Sequence, residues 1–506
     1  MPRWRSSALA ATTPEARSNR IGTAPNMEVA LRLAEAEFRA NASVPIASEL
    51  MFAASQAGEN GLAREAATLI ASKQQQIASK SLLSIANAIL SPPAGLRNDL
   101  EPEEFVRTAR RSLHQNFNNP ILLIDVAHAL TARGQPKAAE RYVKGALHFA
   151  PLNRFILRSA VRYFLHVGEK EYAHHLLLRS PLLKGDPWIQ ASEIAVASVL
   201  GKTSKLVKGI DKILQDEPVL AFNFSELGSA IATVHLNSGG DKKAKKLFTK
   251  SLVHPNDNTV AQAEWASRKL GLVVTESALL VPLSFEANSG HSYRSLDIET
   301  AIAKAKDWAS DEPYASRPVG WLGYLHSIYG DYEKAAEYHQ QVFELESKPT
   351  IADLLNLNFC RIETGATVEA NETLLELSRD PDIASHKSHF LANAGALAYA
   401  IGDHKSGAEL YQKAIASTKA ASDTRTEALV RAFFARAAVK YGDPGRDEIL
   451  EVATKASLQL ANPGATYVLA QLSNEATRKK LEASAQSKIA KHQIDWDQLS
   501  NTLTLR

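Results

Sequence analysis

Small residues return along this chain at a spacing of about 34 residues, and this period constrains the fold more than any other feature. The spacing is clearest in 120–153, where Pro120 can be counted as position 1 of a repeat. A glycine at position 15 ends a first helix, because it adopts a left-handed backbone at little cost, and small residues elsewhere let two helices touch. The small residues of this repeat are Ala127 at position 8, Gly134 at position 15, Ala139 at position 20 and Ala146 at position 27. The pattern predicts two antiparallel helices joined by a tight turn.

The same pattern recurs in two blocks, with repeats that begin at 120, 154 and 187 and again at 316, 351 and 388. The glycines at position 15 include Gly168, Gly201, Gly239, Gly330, Gly365 and Gly402. This arrangement resembles the tetratricopeptide repeat (TPR), and the resemblance covers about 44–460. The resemblance implies an all-α fold, a right-handed superhelical solenoid of antiparallel helix pairs. Such solenoids usually bind other molecules rather than catalyse reactions.

The repeat register also predicts how the chain is divided. The expected segments are a flexible tail at 1–26, an N-terminal TPR-like block at 27–271, an insertion at 272–297, a C-terminal TPR-like block at 298–460, and degenerate capping helices with a polar tail at 461–506. The first segment is rich in Arg and Ser, so a transit peptide is the alternative to a tail.

The segment 272–297 is interpreted as an insertion in the turn of one repeat. Residues 257–271 fit a first helix, and Ala301 and Ala305 fit positions 20 and 24 of its partner helix. The first half of the insertion is apolar and β-prone, so we expect it to pack against another part of the protein or against a partner. Insertions in solenoids often lie at a binding edge.

Charge and hydropathy exclude several classes of partner. The 58 basic and 55 acidic side chains leave a net charge of only +3, which gives no overall attraction to nucleic acid or anionic lipid. The basic run KKAKKLFTK at 242–250 is interpreted as a solvated helix face. No apolar run reaches the roughly 18 residues of a membrane span. We therefore expect no nucleic-acid partner, no membrane insertion and a cytoplasmic location, which the single cysteine also favours.

No sequence motif supports catalysis, a metal or a cofactor. The string Gly201–Thr203 resembles the end of a phosphate-binding loop, but Val196 occupies the position where that loop needs a glycine. No two histidines have the spacing of an H-E-x-x-H zinc site, and no G-x-S-x-G string occurs. Cys360 is interpreted as a small buried residue. The sequence predicts a protein that is not an enzyme and needs no cofactor.

The TPR resemblance implies that positions 2, 5, 6, 9, 12 and 13 of each first helix face a concave groove. The lysines and asparagines of a chaperone-binding carboxylate clamp are missing from positions 2, 5 and 9 of 316–349 and from positions 2 and 5 of the next repeat. Asn356 and Asn393 occupy position 6 of neighbouring repeats, which resembles the asparagine ladder of TPR proteins that hold an extended peptide. Aromatic residues could supply pockets beside this ladder, or they could fill the seams between repeats; they are Trp321, Tyr324, Phe359 and Tyr399.

A second candidate surface lies in the first block. Arg158 and Arg162 are one helical turn apart at positions 5 and 9, where they could meet an acidic segment. The leading hypothesis is a non-enzymatic adaptor or scaffold that binds a protein or peptide segment in its concave groove. The alternatives are a regulatory or sensor subunit of a multi-protein complex and an RNA-binding helical repeat.

Overall fold

The computed structural model describes Trp4 and residues 27–57, 59–73, 80–90, 102–115, 119–216, 222–281, 283–346, 349–460 and 462–483. Regular structure in these ranges is helical, without a strand, which confirms the predicted fold class of stacked antiparallel helix pairs. The α-helices are α1 Met27–Ala40, α2 Val44–Ala57, α3 Asn60–Ser72, α4 Lys80–Leu90, α5 Pro102–Gln115, α6 Pro120–Ala132, α7 Pro136–Phe149, α8 Arg154–His166, α9 Lys170–Arg179, α10 Pro187–Val199, α11 Leu206–Asp216, α12 Phe222–Asn237, α13 Asp241–Ser251, α14 Asp257–Leu270, α15 Glu276–Leu279, α16 Phe285–Arg294, α17 Ile298–Asp311, α18 Ser316–Tyr329, α19 Tyr332–Leu345, α20 Ile351–Glu363, α21 Thr367–Leu377, α22 Lys387–Ala400, α23 His404–Ala420, α24 Thr424–Lys440, α25 Arg446–Leu460 and α26 Pro463–Leu472.

The predicted glycine turns are confirmed. Gly330 ends α18 with φ of 98°, and its backbone N–H donates to the His326 carbonyl over 2.9 Å. A side chain at this φ would be strained, so glycine is required here. The same left-handed backbone occurs at the other glycines predicted for position 15 and at the ends of two further first helices, namely Gly134, Gly168, Gly201, Gly239, Gly365, Gly402, Gly271 and Gly442.

Small residues lie where the two helices of a pair approach each other, as the period predicts. Ala127 and Ala139 are fully buried between α6 and α7, and Ala335 is buried between α18 and α19. At Gly323 the approach is closer still, since a Cβ atom there would lie 2.6 Å from Cε1 of His339. The imidazole of His339 therefore packs into space that only glycine leaves open.

The helices form two compact units. The N-terminal unit contains Met1–Ala287 and Asp311–Tyr314, and the C-terminal unit contains Asn288–Ser310 and Ala315–Arg506. In the N-terminal unit the first helices α6, α8, α10, α12 and α14 contact one another in succession. In the C-terminal unit α18, α20, α22 and α24 do the same. Each series gives a continuous row of first helices, which is the architecture on which groove positions are defined.

The segment 272–297 is helical rather than extended. Thr275 caps the short helix α15 by accepting from the backbone N–H of Ala278, and α16 follows after a turn. The β propensity of the apolar run is overridden because these caps and turns satisfy the backbone locally. Ala278 and Leu279 are buried, whereas Leu280 is 84% exposed.

Helix α16 forms a pair with α17, which the sequence interpretation had joined to 257–271. The Ser289 hydroxyl on α16 donates to the Ala301 carbonyl on α17 over 2.8 Å. Tyr293 and Ile298 lie together in one hydrophobic cluster of the C-terminal unit. The inserted residues thus supply a first helix of their own, because an apolar face on α17 needs a partner that covers it.

The two ends of the chain contain buried residues. Trp4 lies in the segment predicted to be a flexible tail, yet its side chain is fully buried, so the prediction is wrong at this residue. A tryptophan buries a large apolar area when it packs, which a free tail would forgo. The other residues of 1–26 lie outside the described ranges. Near the other end, Val468 and Leu469 of α26 are fully buried in the C-terminal unit, and 484–506 lies outside the described ranges.

Candidate partner-binding surface

Trp321 and Tyr324 form an internal aromatic cluster with Tyr293 of α16. The rings of Trp321 and Tyr324 stack at 5.2 Å, and the Trp321 indole N–H donates to the Ser289 hydroxyl over 2.8 Å. The hydroxyls of Tyr293 and Tyr324 are 2.8 Å apart, and burial raises the pKa of Tyr324 well above its usual value. The indole N–H of Trp321 and the hydroxyl of Tyr324, both predicted as binding anchors, therefore form hydrogen bonds within the C-terminal unit.

The N-terminus of α26 covers this cluster. The backbone N–H of Gly464 donates to the Tyr293 hydroxyl over 3.0 Å. A Cβ atom at Gly464 would lie 2.5 Å from Cδ1 of Ile328 and 2.7 Å from the Tyr324 hydroxyl oxygen. The contact is thus close enough to require glycine. The aromatic residues on α18 face another helix of the same unit.

Helix α24 covers Phe359 in a similar way. The Phe359 ring packs edge-on against Phe433 of α24 at 5.0 Å and against Tyr332 at 5.8 Å. Arg436 of the same helix donates to the Ser327 carbonyl over 3.3 Å and lies over the Tyr332 ring. Among the described residues, Phe359 therefore contributes to seams between helices, the alternative that the sequence had left open.

The two predicted ladder asparagines occupy different environments. Asn356 is exposed on α20. Asn393 is buried, donates to the His389 carbonyl over 3.1 Å, and accepts from the Asn358 amide over 3.3 Å. The structure thus joins Asn393 to Asn358, which the sequence did not single out because it lies at position 8, where a small residue is usual. An asparagine at position 8 facing one at position 6 of the next repeat would have been the signal.

Tyr399 is fully buried in the helix pair of α22 and α23. Its hydroxyl donates to the Asp443 carboxylate over 2.7 Å, and burial raises its pKa. The ring stacks on His404 at 5.4 Å, and a Cβ atom at Gly407 would lie 2.6 Å from its Cδ2. This residue contacts the core of the C-terminal unit rather than a surface.

Arg158 is buried in the N-terminal unit and pairs with an acidic residue of the same chain. Its guanidinium donates to the Glu226 carboxylate over 2.8 Å and to the Trp188 carbonyl over 3.1 Å. Asn256 donates to the other Glu226 oxygen over 2.9 Å. Arg154 forms a parallel pair with Asp186 at 2.7 Å, and both guanidiniums lie over the Trp188 ring. The predicted acidic partner of Arg158 is internal.

Arg162 remains accessible in part. Its guanidinium lies 5.2 Å from the centre of the Tyr314 ring and forms no ion pair with any residue that the structure describes. It also lies close enough to His166 to help burial lower the pKa of that imidazole to about 4. Of the two arginines predicted to meet an acidic segment, only Arg162 keeps its charge unpaired in the described part of the chain.

Trp4 occupies a pocket beside Arg162, hereafter the Trp4 pocket, formed by His128, Tyr163 and Tyr314. Its indole lies edge-on to His128 at 5.2 Å and to Tyr163 at 5.9 Å, and tilted against Tyr314 at 5.4 Å. The Tyr314 hydroxyl donates to the Trp4 backbone carbonyl over 3.1 Å. Burial lowers the pKa of His128 to about 4, so this imidazole is neutral at neutral pH. No sequence pattern near Trp4 could have predicted that its side chain occupies this pocket.

Position 9 of the repeat, which the sequence prediction assigns to the groove, holds residues of this pocket and an exposed aromatic residue in the N-terminal unit. His128, Arg162 and Trp265 are at position 9 of the repeats that begin at 120, 154 and 257. Trp265 is 54% exposed on α14. An exposed tryptophan is unusual and typical of binding surfaces. The register of the repeat could have identified it.

The described residues hold no cluster of three or more histidine, cysteine, aspartate or glutamate side chains able to bind a metal ion. None of the described helices is long and apolar enough to cross a membrane. The thiol of Cys360 is buried, and burial raises its pKa to about 12. Such a thiol is not an activated nucleophile.

Comparisons with solved structures return helical proteins at low identity. The chain is similar to the APC/C hetero-tetramer Cut9-Hcn1 (13% identity, 91% of this chain and 93% of that one, TM-score 0.37). It is also similar to the human IFIT1 dimer with PPP-AAAA (14%, 81% and 99%, TM-score 0.33) and to Naa15/Naa10 bound to HypK-THB (12%, 95% and 85%, TM-score 0.24). No protein-family model matches the sequence, and no curated protein matches it. These likenesses concern the arrangement of helices alone.

Proposed function

We propose that the protein is a non-enzymatic adaptor that binds a segment of another protein along the groove positions of its N-terminal unit. The observation that carries this proposal is Trp4. A residue from outside the repeats is held by ring contacts to His128 on α6 and Tyr163 on α8 and by a hydrogen bond to its own backbone carbonyl. A hydrogen bond to backbone combined with a pocket for one side chain is how extended peptides are recognised.

Two further residues support this location. Arg162 offers a guanidinium without a carboxylate partner among the described residues, and Trp265 offers a large exposed ring. Arginine and tryptophan are enriched among residues that carry most of the energy of protein interfaces. In the C-terminal unit, by contrast, α24 and α26 cover the aromatic residues on α18 and α20. Asn356 is the predicted residue of that unit that remains exposed.

The test is quantitative affinity purification from the native host with the full-length tagged chain. We expect Trp265→Ala and Arg162→Ala to remove the same co-purifying proteins. The matched controls are Val452→Ala, an exposed apolar residue of the C-terminal unit, and Arg446→Ala, whose side chain is 52% exposed. The proposal fails if all four variants retain the partners of the wild-type chain while remaining folded.

A further inference from the structure

The Trp4 pocket recognises little that is particular to Trp4. The Tyr314 hydroxyl donates to a backbone carbonyl, which every residue possesses. The side-chain contacts are ring contacts at 5.2–5.9 Å, which any aromatic side chain can make. The Tyr163 hydroxyl is already used, because it donates to the Pro136 carbonyl over 2.8 Å. The pocket therefore selects an aromatic side chain whose own backbone carbonyl can accept from Tyr314.

Trp4 satisfies this pocket incompletely. Its indole N–H is buried without a hydrogen-bond partner among the described residues, and so is Nε2 of His128. Buried tryptophan N–H groups normally find an acceptor, and a buried polar atom without a partner weakens binding. An aromatic residue that sits differently, or a tyrosine whose hydroxyl can donate or accept, could satisfy His128 in either tautomer.

Arg162 adds a preference for charge. Its guanidinium lies against the Tyr314 ring that closes the pocket, and it pairs with no carboxylate in the described part of the chain. The residues next to Trp4 in the sequence are Arg3 and Arg5, so the chain's own segment brings no carboxylate beside its aromatic residue. A partner segment with an acidic residue next to its aromatic residue would form an ion pair that Trp4 cannot offer.

We propose that the Trp4 pocket binds an aromatic residue flanked by an acidic residue in a partner protein, and that Trp4 occupies it as a tethered internal competitor. Residues 5–26 connect Trp4 to α1. A tethered ligand competes at an effective concentration of about 1 mM, so it lowers the affinity of a free peptide about tenfold when the tethered segment itself binds the pocket with a Kd near 0.1 mM. This inference rests on the proposed function and names the residue type that its partner supplies.

The test uses full-length protein and fluorescein-labelled synthetic peptides, followed by fluorescence anisotropy. The probes are the decapeptide of residues 1–10, MPRWRSSALA, its tryptophan-to-alanine form MPRARSSALA, and the acidic form MPRWESSALA. We expect Trp4→Ala protein to bind MPRWRSSALA at least tenfold more tightly than wild-type protein does, and to bind MPRARSSALA no better than the wild type. The acidic form should bind more tightly still, and the added Arg162→Ala substitution should remove that gain.

Trp4→Phe is the control for the case in which Trp4→Ala unfolds, because phenylalanine keeps an aromatic ring in the pocket. We expect it to bind MPRWRSSALA with an affinity between those of the wild type and Trp4→Ala. Equal affinities of all three proteins for MPRWRSSALA would overturn the proposal, as would unfolding of Trp4→Ala together with an unchanged affinity in Trp4→Phe. In either case Trp4 is a permanent core residue. If Trp265→Ala still loses the co-purifying proteins, the adaptor function stands even though competition by Trp4 is refuted. The failure of one proposal can therefore be distinguished from the failure of the other.

Discussion

Replacing Arg158 by methionine separates a binding role for this arginine from a structural one. Methionine preserves much of the side-chain volume but removes the charge. In the substituted protein the buried Glu226 carboxylate keeps its hydrogen bond from Asn256 and loses the one from Arg158. The Trp188 carbonyl also loses a donor. We therefore expect a loss of stability confined to the N-terminal unit.

The magnitude follows from burial, since Arg158 is 5% exposed and Glu226 is 2% exposed. Removing one partner of a buried ion pair costs about 3–5 kcal/mol, because the other charge stays desolvated. A loss of about 4 kcal/mol raises the local opening equilibrium roughly a thousandfold. Glu226→Gln in the Arg158→Met background should restore part of the loss, since it removes the unpaired charge, with a coupling of about 1–3 kcal/mol.

The assay is hydrogen–deuterium exchange of amides in α8, which reports local opening of this helix. Arg158→Met should accelerate exchange strongly, and the double variant should exchange more slowly than the single one. The matched control is Lys455→Met, which removes an exposed pair with Glu451 and should leave exchange in α25 unchanged. The reasoning is refuted if Arg158→Met exchanges like the wild type, because Arg158 would then be free to bind a partner.

Three further predictions follow from contacts and burial. In a urea titration, Gly464→Ala should destabilise the C-terminal unit by about 1–3 kcal/mol, because the added Cβ atom would collide with Ile328. The control is Gly209→Ala, whose added Cβ atom has no other atom within 4 Å and which should therefore be neutral or stabilising. The pKa values of His128 and His166 are about 4 in the folded protein and about 6.5 in the unfolded chain, so the unfolded chain binds more protons between these pH values. The N-terminal unit should therefore lose stability as pH falls from about 6.5 to about 4. Urea midpoints that do not change over this pH range would contradict the prediction. Cys360 should react with a thiol reagent only after unfolding, and a rapid reaction of native protein would contradict its burial.

The repeat period predicted the backbone well because its small residues obey local rules. Glycine at position 15 is required by a left-handed φ, as at Gly330, and alanine at position 20 is required by helix contact, as at Ala139. Both requirements arise within about 20 residues of sequence, so they can be read without knowledge of the rest of the chain. The same register assigns Trp265 to position 9 of its repeat, although this residue was not among the predicted binding residues, and it is 54% exposed.

The site residues were harder to predict, because a register tells which way a residue faces and not what covers it. Arg158 lies on a first helix as expected, but it is buried and its partner Glu226 lies 68 residues away. Tyr324 also lies on a first helix, and Gly464 covers it from much further along the chain. Trp4 lies outside the repeats, so no repeat position can be assigned to it. Each of these contacts joins distant segments, and no spacing within one segment encodes them.

The distance between Arg162 and Trp265, both at position 9 of their repeats, sets the length that a partner segment needs in order to contact both residues. Three steps separate α8, with Arg162, from α14, with Trp265, and the successive first helices are in contact. Helix axes in contact lie about 8–10 Å apart, so the row from Arg162 to Trp265 is about 25–30 Å long. An extended segment needs about eight or nine residues to cover that length. A shorter partner that depends on Trp265 but not on Arg162 would bind without disturbing Trp4. A partner of that length or more that depends on both residues would reach the Trp4 pocket and must compete with Trp4, so only its affinity should rise in the Trp4→Ala protein.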